Sequence, residues 1–363
     1  MLHRSLHLLL CALVLACEVD TRLPEVVASS KYIDYGTWAD TTAVCMDDRL
    51  AVWDRYIEQT SAFLGTDPPA RRIRYTWVPE DLQDESTWPC GPFEVGGCTR
   101  IADNKVFVGR AEILHELVHA VETPAFGRAH KVFGEGMAEY LSEVAPTLGT
   151  ALDFSAAFVD MVDSDRMTGE DYPLAMHFVG SLLERDGSEK YQAFRALVPT
   201  DGKFADFAVA YDQVYGEDLS AALAAMSGPI RGQGPWLCDG SIGARIAIDG
   251  SRTLLLAGEC GDGDFFNPGS AEGELGASKV FMLDVTVSGY YEMTLRGAGA
   301  PSMPYSLQIT SCPGTNLEDT SASSEQVMTA ALWEGGSYRL QVWYPGGSEG
   351  AATLELKFGG PFL

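Results

Sequence analysis

The hydrophobic periodicity of the chain changes once, near the segment from Gly228 to Pro235. Before this segment, apolar residues recur every three to four positions, which is typical of amphipathic helices. After it, short runs of alternating apolar and polar residues are separated by glycine-rich turns, which predicts β-strands. The change therefore predicts two domains of different architecture. The predicted helices are 47–63, 111–122, 134–145, 153–163, 173–186, 189–197 and 203–214.

Short strands are also expected within the helical part. The alternation from Arg72 to Val78 predicts one strand, and Val106 to Val108 predicts another. We therefore expect an α+β domain over residues 41–234, preceded by a tether of little periodicity over residues 18–40. The alternating runs in residues 235–363 predict an all-β sandwich.

The N-terminus resembles a targeting segment. An apolar run from Leu8 to Ala16 follows a single positive charge and is too short to span a bilayer. It ends in Val14-Leu15-Ala16-Cys17, which resembles the bacterial lipobox, and this implies a signal peptide over residues 1–17 with lipidation at Cys17. The alternative is an ordinary cleaved signal with an incidental cysteine. Either way we expect export: a lipid-anchored protein of the bacterial cell envelope, at the outer membrane or cell surface, or a secreted one.

The charge balance excludes one class of partner. The chain has 51 Asp and Glu residues against 25 Lys and Arg residues. Nucleic acid is excluded as a partner because phosphate binding needs clustered Lys and Arg. We expect membrane contact through the lipid anchor alone, and a monomer.

Export makes the cysteines informative, because disulfides persist outside the reducing cytosol. With Cys11 and Cys17 set aside, six cysteines remain, and six allow 15 connectivities. A short loop containing Gly and Pro separates Cys90 from Cys98, which favours that pair. The chain has no C-x-x-C pair, which argues against a cysteine zinc site. The predicted disulfides are Cys90–Cys98, Cys260–Cys312 and Cys45–Cys238.

The segment from His115 to His119 has the H-E-x-x-H pattern of zinc hydrolases. On a helix, His115 and His119 lie one turn apart on one face, so both imidazoles can reach one metal ion. Glu116 lies on an adjoining face, from which its carboxylate can approach a zinc-bound water. The metal lowers the pKa of that water toward about 7, and Glu116 takes the proton as general base. The alternative is that both histidines are ordinary residues of an amphipathic helix.

Two histidines do not complete a zinc site. A metzincin would need a third histidine where Ala125 stands. Instead, the segment Phe133–Tyr140 reads Phe-Gly-Glu-Gly-Met-Ala-Glu-Tyr and resembles the second-helix motif of the gluzincins, the thermolysin- and aminopeptidase-like zinc peptidases. The resemblance implies Glu135 as the third ligand of one Zn2+ ion. It implies that Glu139 accepts a hydrogen bond from a ligand histidine, His115; the alternative for Glu139 is a solvated helix charge.

A third segment supports the resemblance, which covers roughly residues 70 to 200. Asp171 to Val179 is similar to the Y-x-x-A-x-x-F-V segment that follows the second zinc-site helix in many bacterial gluzincin-like proteins. This implies that Tyr172 stabilises the oxyanion of the tetrahedral intermediate. The alternative is a packed tyrosine at a helix start. His177 is a possible cleft residue, with a satisfied core histidine as its alternative.

The chain departs from the aminopeptidases in one respect. No G-x-M-E-N-type segment, which would bind a free amine, precedes His115. Exopeptidase specificity is therefore not implied, and the choice between endo- and exopeptidase stays open. We expect the strand Val106–Val108 to align an extended peptide by main-chain hydrogen bonds.

Together these motifs predict an exported zinc metallopeptidase. A zincin-like catalytic domain would act on a peptide or protein substrate, and the β-sandwich would follow it. One alternative is a catalytically silent zincin-like surface module that binds a partner. Another is a structural lipoprotein in which the H-E-x-x-H pattern is accidental. The intact set of His115, Glu116, His119 and Glu135 favours the enzyme.

Overall fold

The structure is a computed structural model, and the chain is mixed α/β with several sheets. The predicted signal peptide with Cys17 and the predicted boundary at residue 235 lie outside the described residues. The residues described are 22–39, 45–84, 87–91, 96–109, 114–142, 154–164, 166–226, 243–262, 265–266, 277–297, 306–311, 320–323, 327–344 and 349–361.

The first part of the chain contains a five-stranded sheet with the strand order β1-β2-β3-β5-β4. Its strands are β1 (Val26–Ser29), β2 (Ile33–Thr37), β3 (Ile73–Trp77), β4 (Gly97–Arg100) and β5 (Lys105–Val108). The strands β2, β3 and β5 are parallel to one another, whereas β1 and β4 pair antiparallel at the two edges. The order places β4, rather than β5, at the edge of the sheet.

Residues 18–40 were predicted to be a tether, and this is wrong for the strands β1 and β2. Ile33 and Tyr35 are fully buried, and β2 pairs in parallel with β3 from Ile33–Ile73 to Thr37–Trp77. The physical reason is that the pairing partner lies 40 residues further along the chain. A strand of five residues shows too little alternation to be recognised without that partner.

Helices cover the sheet and form the rest of the first part. The longest of them, α5, is broken at Gly187, whose φ of 80° is incompatible with a helix. None of the described helices is long and apolar enough to cross a bilayer. The helices are α1 (Met46–Leu64), α2 (Leu114–Phe126), α3 (Lys131–Ser142), α4 (Phe154–Asp163), α5 (Asp171–Leu197), α6 (Phe204–Tyr215) and α7 (Leu219–Ala225).

Aromatic residues join these layers. Trp53 of α1 packs on the sheet, with its ring 4.6 Å from that of Tyr75 and 5.9 Å from that of Tyr35. On the helical side, five phenylalanines from α3 to α6 form one cluster of ring contacts. They are Phe133, Phe158, Phe178, Phe194 and Phe207. Because large buried aromatic side chains dominate core energetics, this cluster fixes how the helices that carry the candidate site pack together.

The second part of the chain consists of two sheets around a shared apolar core. One is four-stranded with the order β13-β10-β15-β7, and the other is six-stranded with the order β12-β11-β14-β9-β6 and β8 paired to β9. Inward-facing residues of both sheets, such as Met293 and Leu340, are fully buried. The strands are β6 (Ala244–Ile248), β7 (Arg252–Glu259), β8 (Phe265–Phe266), β9 (Ala277–Val285), β10 (Gly289–Gly297), β11 (Ser306–Ser311), β12 (Thr320–Ser323), β13 (Val327–Leu332), β14 (Ser337–Tyr344) and β15 (Glu349–Gly360).

Two disulfides join cysteines within the described residues, and such bonds are typical of proteins outside the cytoplasm. Cys90–Cys98 was predicted and is confirmed. The predicted pairs Cys260–Cys312 and Cys45–Cys238 are wrong, because Cys45 is bonded to Cys260. Cys238 and Cys312 lie outside the described residues. Pairing across 215 positions depends on which segments meet in space, and the spacing of cysteines carries no such information.

The bond Cys45–Cys260 joins the two parts of the chain. Cys45 precedes α1 and is buried in the core of the sandwich. The main-chain N–H of Gly261 donates to Asp48 Oδ2 at 2.7 Å, beside the disulfide. Asp48 lies in the first turn of α1, where a carboxylate is favoured by the helix dipole. The first helix of the α/β part is thus anchored in the sandwich at its N-terminus.

Candidate metal centre

Helix α2 places His115 and His119 one turn apart. Its apolar positions Leu117, Val118 and Val121 are buried, so the helix is held by one face while the histidines lie on another. The ring centroids of the two histidines are 4.8 Å apart. Their side chains are 13% and 16% exposed, so both are mostly buried but keep some contact with solvent.

Helix α3 supplies two glutamates, and a glycine sets how closely it packs. A Cβ at Gly136 would lie 2.5 Å from the carbonyl oxygen of Ala175 in α5, so only glycine permits this approach of the two helices. The approach brings Glu135 and Glu139 of α3 close to the first turn of α5, which carries Tyr172. The glycine within the Glu-Gly-Met-Ala-Glu motif therefore has a packing role.

Three side-chain atoms converge between α2 and α3. Nε2 of His115 lies 2.9 Å from Oε2 of Glu135 and 3.1 Å from Nε2 of His119, and the latter is 3.4 Å from the same Glu135 oxygen. Zinc–ligand bonds of 2.0–2.1 Å in a tetrahedron place neighbouring ligand atoms about 3.3 Å apart. The three atoms therefore have the spacing of one face of a tetrahedral zinc site. They form the metal-binding candidate found among the described residues.

The protonation state of His115 shows why a positive charge is needed between the three candidate ligand atoms. Nδ1 of His115 lies 2.9 Å from Oε1 of Glu139, so this nitrogen carries the proton and donates to the carboxylate. In the neutral ring, Nε2 then presents a lone pair toward the other two candidate ligand atoms. Three electron-rich atoms at such distances repel unless a proton or a metal cation lies between them.

The shifted pKa values of His115, His119 and Glu135 also indicate that the site favours positive charge. Burial alone would lower the pKa of His115, yet its hydrogen bonds to Glu135 and Glu139 raise it to about 10. The pKa of His119 is likewise raised, by its hydrogen bond to Glu135 against the opposing effect of burial. Burial opposes ionisation of Glu135, but the two histidines outweigh it and lower the pKa of that carboxyl. The carboxylates thus favour positive charge on the two imidazoles.

Glu116 lies beside this cluster, in a buried position under the edge strand β4. It is 7% exposed, and its Oε2 accepts a hydrogen bond from Oγ1 of Thr99 at 2.8 Å. Thr99 Oγ1 is also 2.9 Å from the main-chain oxygen of Glu116. The carboxylate remains close enough to the two histidines to raise their pKa values electrostatically. Thr99 was not predicted as a site residue, because it belongs to no recognisable sequence motif.

Tyr172 lies at the start of α5, beside the cluster. Its ring centroid is 5.9 Å from that of His115. Burial, together with the negative charges of Glu135, Glu116 and Glu139, raises its pKa to about 12. The phenol therefore keeps its proton at neutral pH and can donate a hydrogen bond.

His177 is buried against an aromatic ring of the neighbouring helix α4. It is 4% exposed, and its ring packs edge-on against Phe154 at 4.8 Å. Burial lowers its pKa, which keeps the ring neutral. The predicted possibility that it reaches the cleft therefore has no support in these contacts. The reason is rotation along the helix, since His177 is five positions beyond Tyr172 and faces another direction.

A buried ion pair lies at the far end of α2, and sequence reasoning missed it. Glu122 is 1% exposed, and its Oε1 lies 3.3 Å from Nε of Arg195. The Arg195 guanidinium also donates to the carbonyl oxygens of Phe126 at 3.3 Å and Gly127 at 2.9 Å. Burial raises the pKa of Glu122 to about 6, and the positive charge of Arg195 opposes that shift. Arg195 thereby ties α5 to the C-terminal end of the helix that carries both histidines.

Comparison with known proteins identifies no family. No family model and no curated protein matches the chain. The Yersinia pseudotuberculosis-derived mitogen aligns over 32% of this chain and 92% of its own, with 10% identity and a TM-score of 0.22. The pre-peptidase C-terminal domain of collagenase from Bacillus anthracis aligns over 32% and 94%, with 12% identity and a TM-score of 0.21.

A family 35 carbohydrate-binding module, solved with a glucuronic acid containing disaccharide, aligns over 31% of this chain and 88% of its own. Its identity is 20% and its TM-score is 0.19. Scores at this level carry no argument about function, so the function must be argued from the site itself.

Proposed function

We propose that the chain is an exported zinc-dependent metallopeptidase. The observation that carries the proposal is the triangle of 2.9, 3.1 and 3.4 Å formed by His115, His119 and Glu135, with a buried glutamate next to it. Neutral nitrogen and carboxylate donors in this number suit Zn2+, and three protein ligands leave one position open, as catalytic zinc sites require. The donor set therefore fits the metal.

His115 Nε2, His119 Nε2 and Glu135 would hold the ion. Bound there, zinc would supply a water of lowered pKa and would polarise a carbonyl oxygen. Glu139 fixes the tautomer of His115 by accepting its Nδ1 proton, which directs the other nitrogen toward the site.

Two further side chains have roles in proton transfer and charge stabilisation. Glu116 accepts a proton from the attacking water and delivers it to the departing amine. Tyr172 donates its phenolic hydrogen bond to the oxygen on which negative charge develops. Its pKa of about 12 keeps that hydrogen in place at neutral pH.

The proposed substrate is an extended peptide or protein segment. The strand Val106–Val108, predicted to align it, is wrong for this role because β5 is paired on both sides, with β3 and β4. Within the described residues, β4 pairs with β5 alone and forms the edge of the sheet. We assign the alignment to β4, whose outer side has no strand partner among the described residues and which contacts Glu116 through Thr99.

The proposed catalytic unit is a zincin-like domain. A mixed sheet with an antiparallel edge strand, α2 under that edge and α3 beside α2 suit such a domain. The two disulfides support the export that this proposal includes. Lipid anchoring through Cys17 belongs to the same proposal and is tested by mass spectrometry of the mature N-terminus.

The first test is the zinc content per chain of the purified mature protein, measured by mass spectrometry. We expect one zinc ion in the wild type, none in Glu135→Ala, and a weakened but detectable content in Glu139→Ala. Glu189→Ala, an exposed glutamate of α5, is the matched control and should keep one zinc. A wild type that binds no zinc when zinc is supplied at neutral pH contradicts the proposal.

The second test separates an enzyme from a silent binding module. Fluorescein-labelled casein is incubated with the zinc-loaded wild type and with Glu116→Gln. Cleavage by the wild type that is lost in Glu116→Gln supports the enzyme. Zinc binding without cleavage of casein or of a mixed peptide library would favour the module that binds a partner.

A further inference from the structure

We propose that Thr99 is a positioning residue that fixes the carboxylate of Glu116, and that β4 is built to allow this. The inference rests on the proposed function and adds a residue outside the H-E-x-x-H and Glu135 motifs. It concerns three consecutive residues, Gly97, Cys98 and Thr99, of the edge strand.

The hydroxyl of Thr99 contacts Glu116 directly. Thr99 Oγ1 lies 2.8 Å from Glu116 Oε2 and 2.9 Å from the Glu116 main-chain oxygen. A hydroxyl has one hydrogen to donate, and both acceptors belong to the same residue. The charged carboxylate is the stronger of the two acceptors, so we assign the hydrogen to Glu116 Oε2, and the main-chain oxygen stays in close contact with the hydroxyl. The bond to the carboxylate restricts the side-chain torsions that would otherwise let it swing away from the site.

Gly97 leaves room for the side chain of Glu116. A Cβ at Gly97 would lie 2.9 Å from Glu116 Cγ, 3.1 Å from its Oε1 and 2.9 Å from the carbonyl oxygen of Phe107. Any larger residue would push against the strand or displace the glutamate. Because side chains alternate along a strand, Gly97 and Thr99 share the face that meets α2. One supplies room for the carboxylate, and the other supplies the hydrogen bond.

The opposite face of β4 carries a disulfide. Cys98 lies between these two residues and is bonded to Cys90. Both cysteines pack against the small cluster of Val78, Trp88 and Phe107. An edge strand is held by hydrogen bonds on one side alone, so it is the least restrained strand of a sheet. The disulfide restrains this one at the residue between the two contacts with Glu116.

A general base that is held in place gives a higher reaction rate than one whose side chain can rotate away from the substrate. Misplacement of a reacting group by about 1 Å can cost about a hundredfold in rate. The hydroxyl of Thr99 acts through Glu116 and touches no reacting atom, so its loss should lower kcat and leave KM unchanged. Zinc binding should also be unaffected, because Thr99 contacts none of the candidate ligands.

The test compares the wild type, Thr99→Val and Thr99→Ser, each with its zinc content measured. Valine keeps the branched shape without the hydroxyl, and serine keeps the hydroxyl. For Thr99→Val we expect kcat on fluorescein-labelled casein to fall about tenfold to a hundredfold, with KM within about twofold. For Thr99→Ser we expect kcat within about threefold of the wild type. All three should hold one zinc.

The matched control is Thr76→Val on β3 of the same sheet. Thr76 is fully buried, and its hydroxyl has no hydrogen-bond partner in the part of the chain that the structure describes. This variant should behave like the wild type. Equal kcat values for Thr99→Val and wild type would overturn the proposal. So would an equal loss in Thr99→Val and Thr99→Ser, since that would mean that packing rather than the hydroxyl matters.

Crystal structures of the two Thr99 variants, with and without zinc, give a readout independent of activity. We expect the Glu116 carboxylate to keep its place in Thr99→Ser and to change rotamer or lose defined density in Thr99→Val. An unmoved carboxylate in Thr99→Val overturns the proposal. Failure of the proposed function is seen separately, as a wild type without zinc or without cleavage, and the crystal structures still decide the role of Thr99 in that case.

Discussion

The part of the chain before residue 227 and the sandwich after residue 242 differ in the polar groups that they bury. In the first part the buried groups include several titratable ones. They are Asp48, Arg49, Glu116, Glu122, His130, His177 and Arg195. In the sandwich, the buried polar residues among those described are Ser278, Arg339 and Gln341, and these form one hydrogen-bonded group. Every histidine of the chain also precedes residue 178.

The difference agrees with the proposal that the first part carries the chemistry. Burying a titratable group costs free energy unless the group is paired, so such groups accumulate where function requires them. Apart from Arg339 and its two hydrogen-bonded neighbours, the described core of the sandwich is apolar, which is what stability alone requires. Substitutions that compare matched residues in the two parts test this division.

The largest expected effect is on activity. Glu116→Gln should lower casein hydrolysis by about 10²- to 10⁴-fold, since general-base catalysis contributes that much. Zinc content and thermal unfolding should stay close to the wild type. Glu292→Gln, which removes an exposed ion pair with Lys357 on the sandwich, should leave activity unchanged. Equal activity of Glu116→Gln and Glu292→Gln would remove the distinction between the two parts.

The next effect is on stability. Arg195→Leu leaves Glu122 as an unpaired buried carboxylate and should lower the free energy of unfolding by about 3–5 kcal/mol. Arg245→Leu removes the exposed contact with Asp284 on the sandwich and should cost less than about 1 kcal/mol. Denaturant unfolding of both variants, followed by circular dichroism, measures the pair. A similar cost for the two variants would contradict the interpretation of Arg195.

A third effect concerns pH. His130 is 3% exposed and packs edge-on against Phe207 at 4.9 Å, and burial lowers its pKa to about 4. The unfolded chain takes up this proton near its ordinary pKa of about 6.5, before the folded chain does. The contribution of neutral His130 to the free energy of unfolding is therefore fully present above pH 6.5 and is lost as the pH falls toward 4. The total loss from this residue is about 3 kcal/mol.

The test is His130→Phe, unfolded in denaturant between pH 4 and 7 with a chelator present. The variant should lose about 3 kcal/mol less than the wild type over that range. The sandwich contains no histidine, so its contribution should be the same in both proteins. Parallel stability curves for the wild type and the variant would show that His130 titrates normally.

The smallest expected effect concerns the disulfide of the edge strand. Replacing both Cys90 and Cys98 by serine opens a loop whose ends are eight positions apart. The chain-entropy relation predicts that the free energy of unfolding falls by about 2–3 kcal/mol when a loop of this size is opened. Unfolding of the double variant under oxidising conditions measures it. No loss would mean that β4 is held by its pairing with β5 and by Glu116 alone.

Much of the helical framework could be predicted from the sequence, because helices carry their own periodicity. The predicted helix 47–63 is Met46–Leu64 in the structure, and 203–214 is Phe204–Tyr215. Helical spacing likewise predicts that His115 and His119 lie together, whereas the place of Glu135 beside them was implied by the resemblance of its segment to the gluzincin motif. That they bind zinc stays a prediction.

The rest depends on partners distant in the chain. Strand order decides that β4 rather than β5 is the edge, and no local pattern encodes it. The bond from Cys45 to Cys260 and the burial of His177 are likewise set by which surfaces meet. Thr99 escaped prediction for the same reason: a threonine on a short strand acquires its role only when the helix carrying Glu116 lies beneath it.

The disulfide between Cys45 and Cys260 closes a covalent ring that spans 215 positions of the chain. A single cut in the backbone anywhere between these two cysteines opens the ring without releasing either end. A clipped molecule would therefore migrate as two fragments on a reducing gel and as one species on a non-reducing gel. For a protein proposed to work outside the cell among proteases, this linkage makes the sandwich and the candidate metal centre inseparable by any one such cleavage.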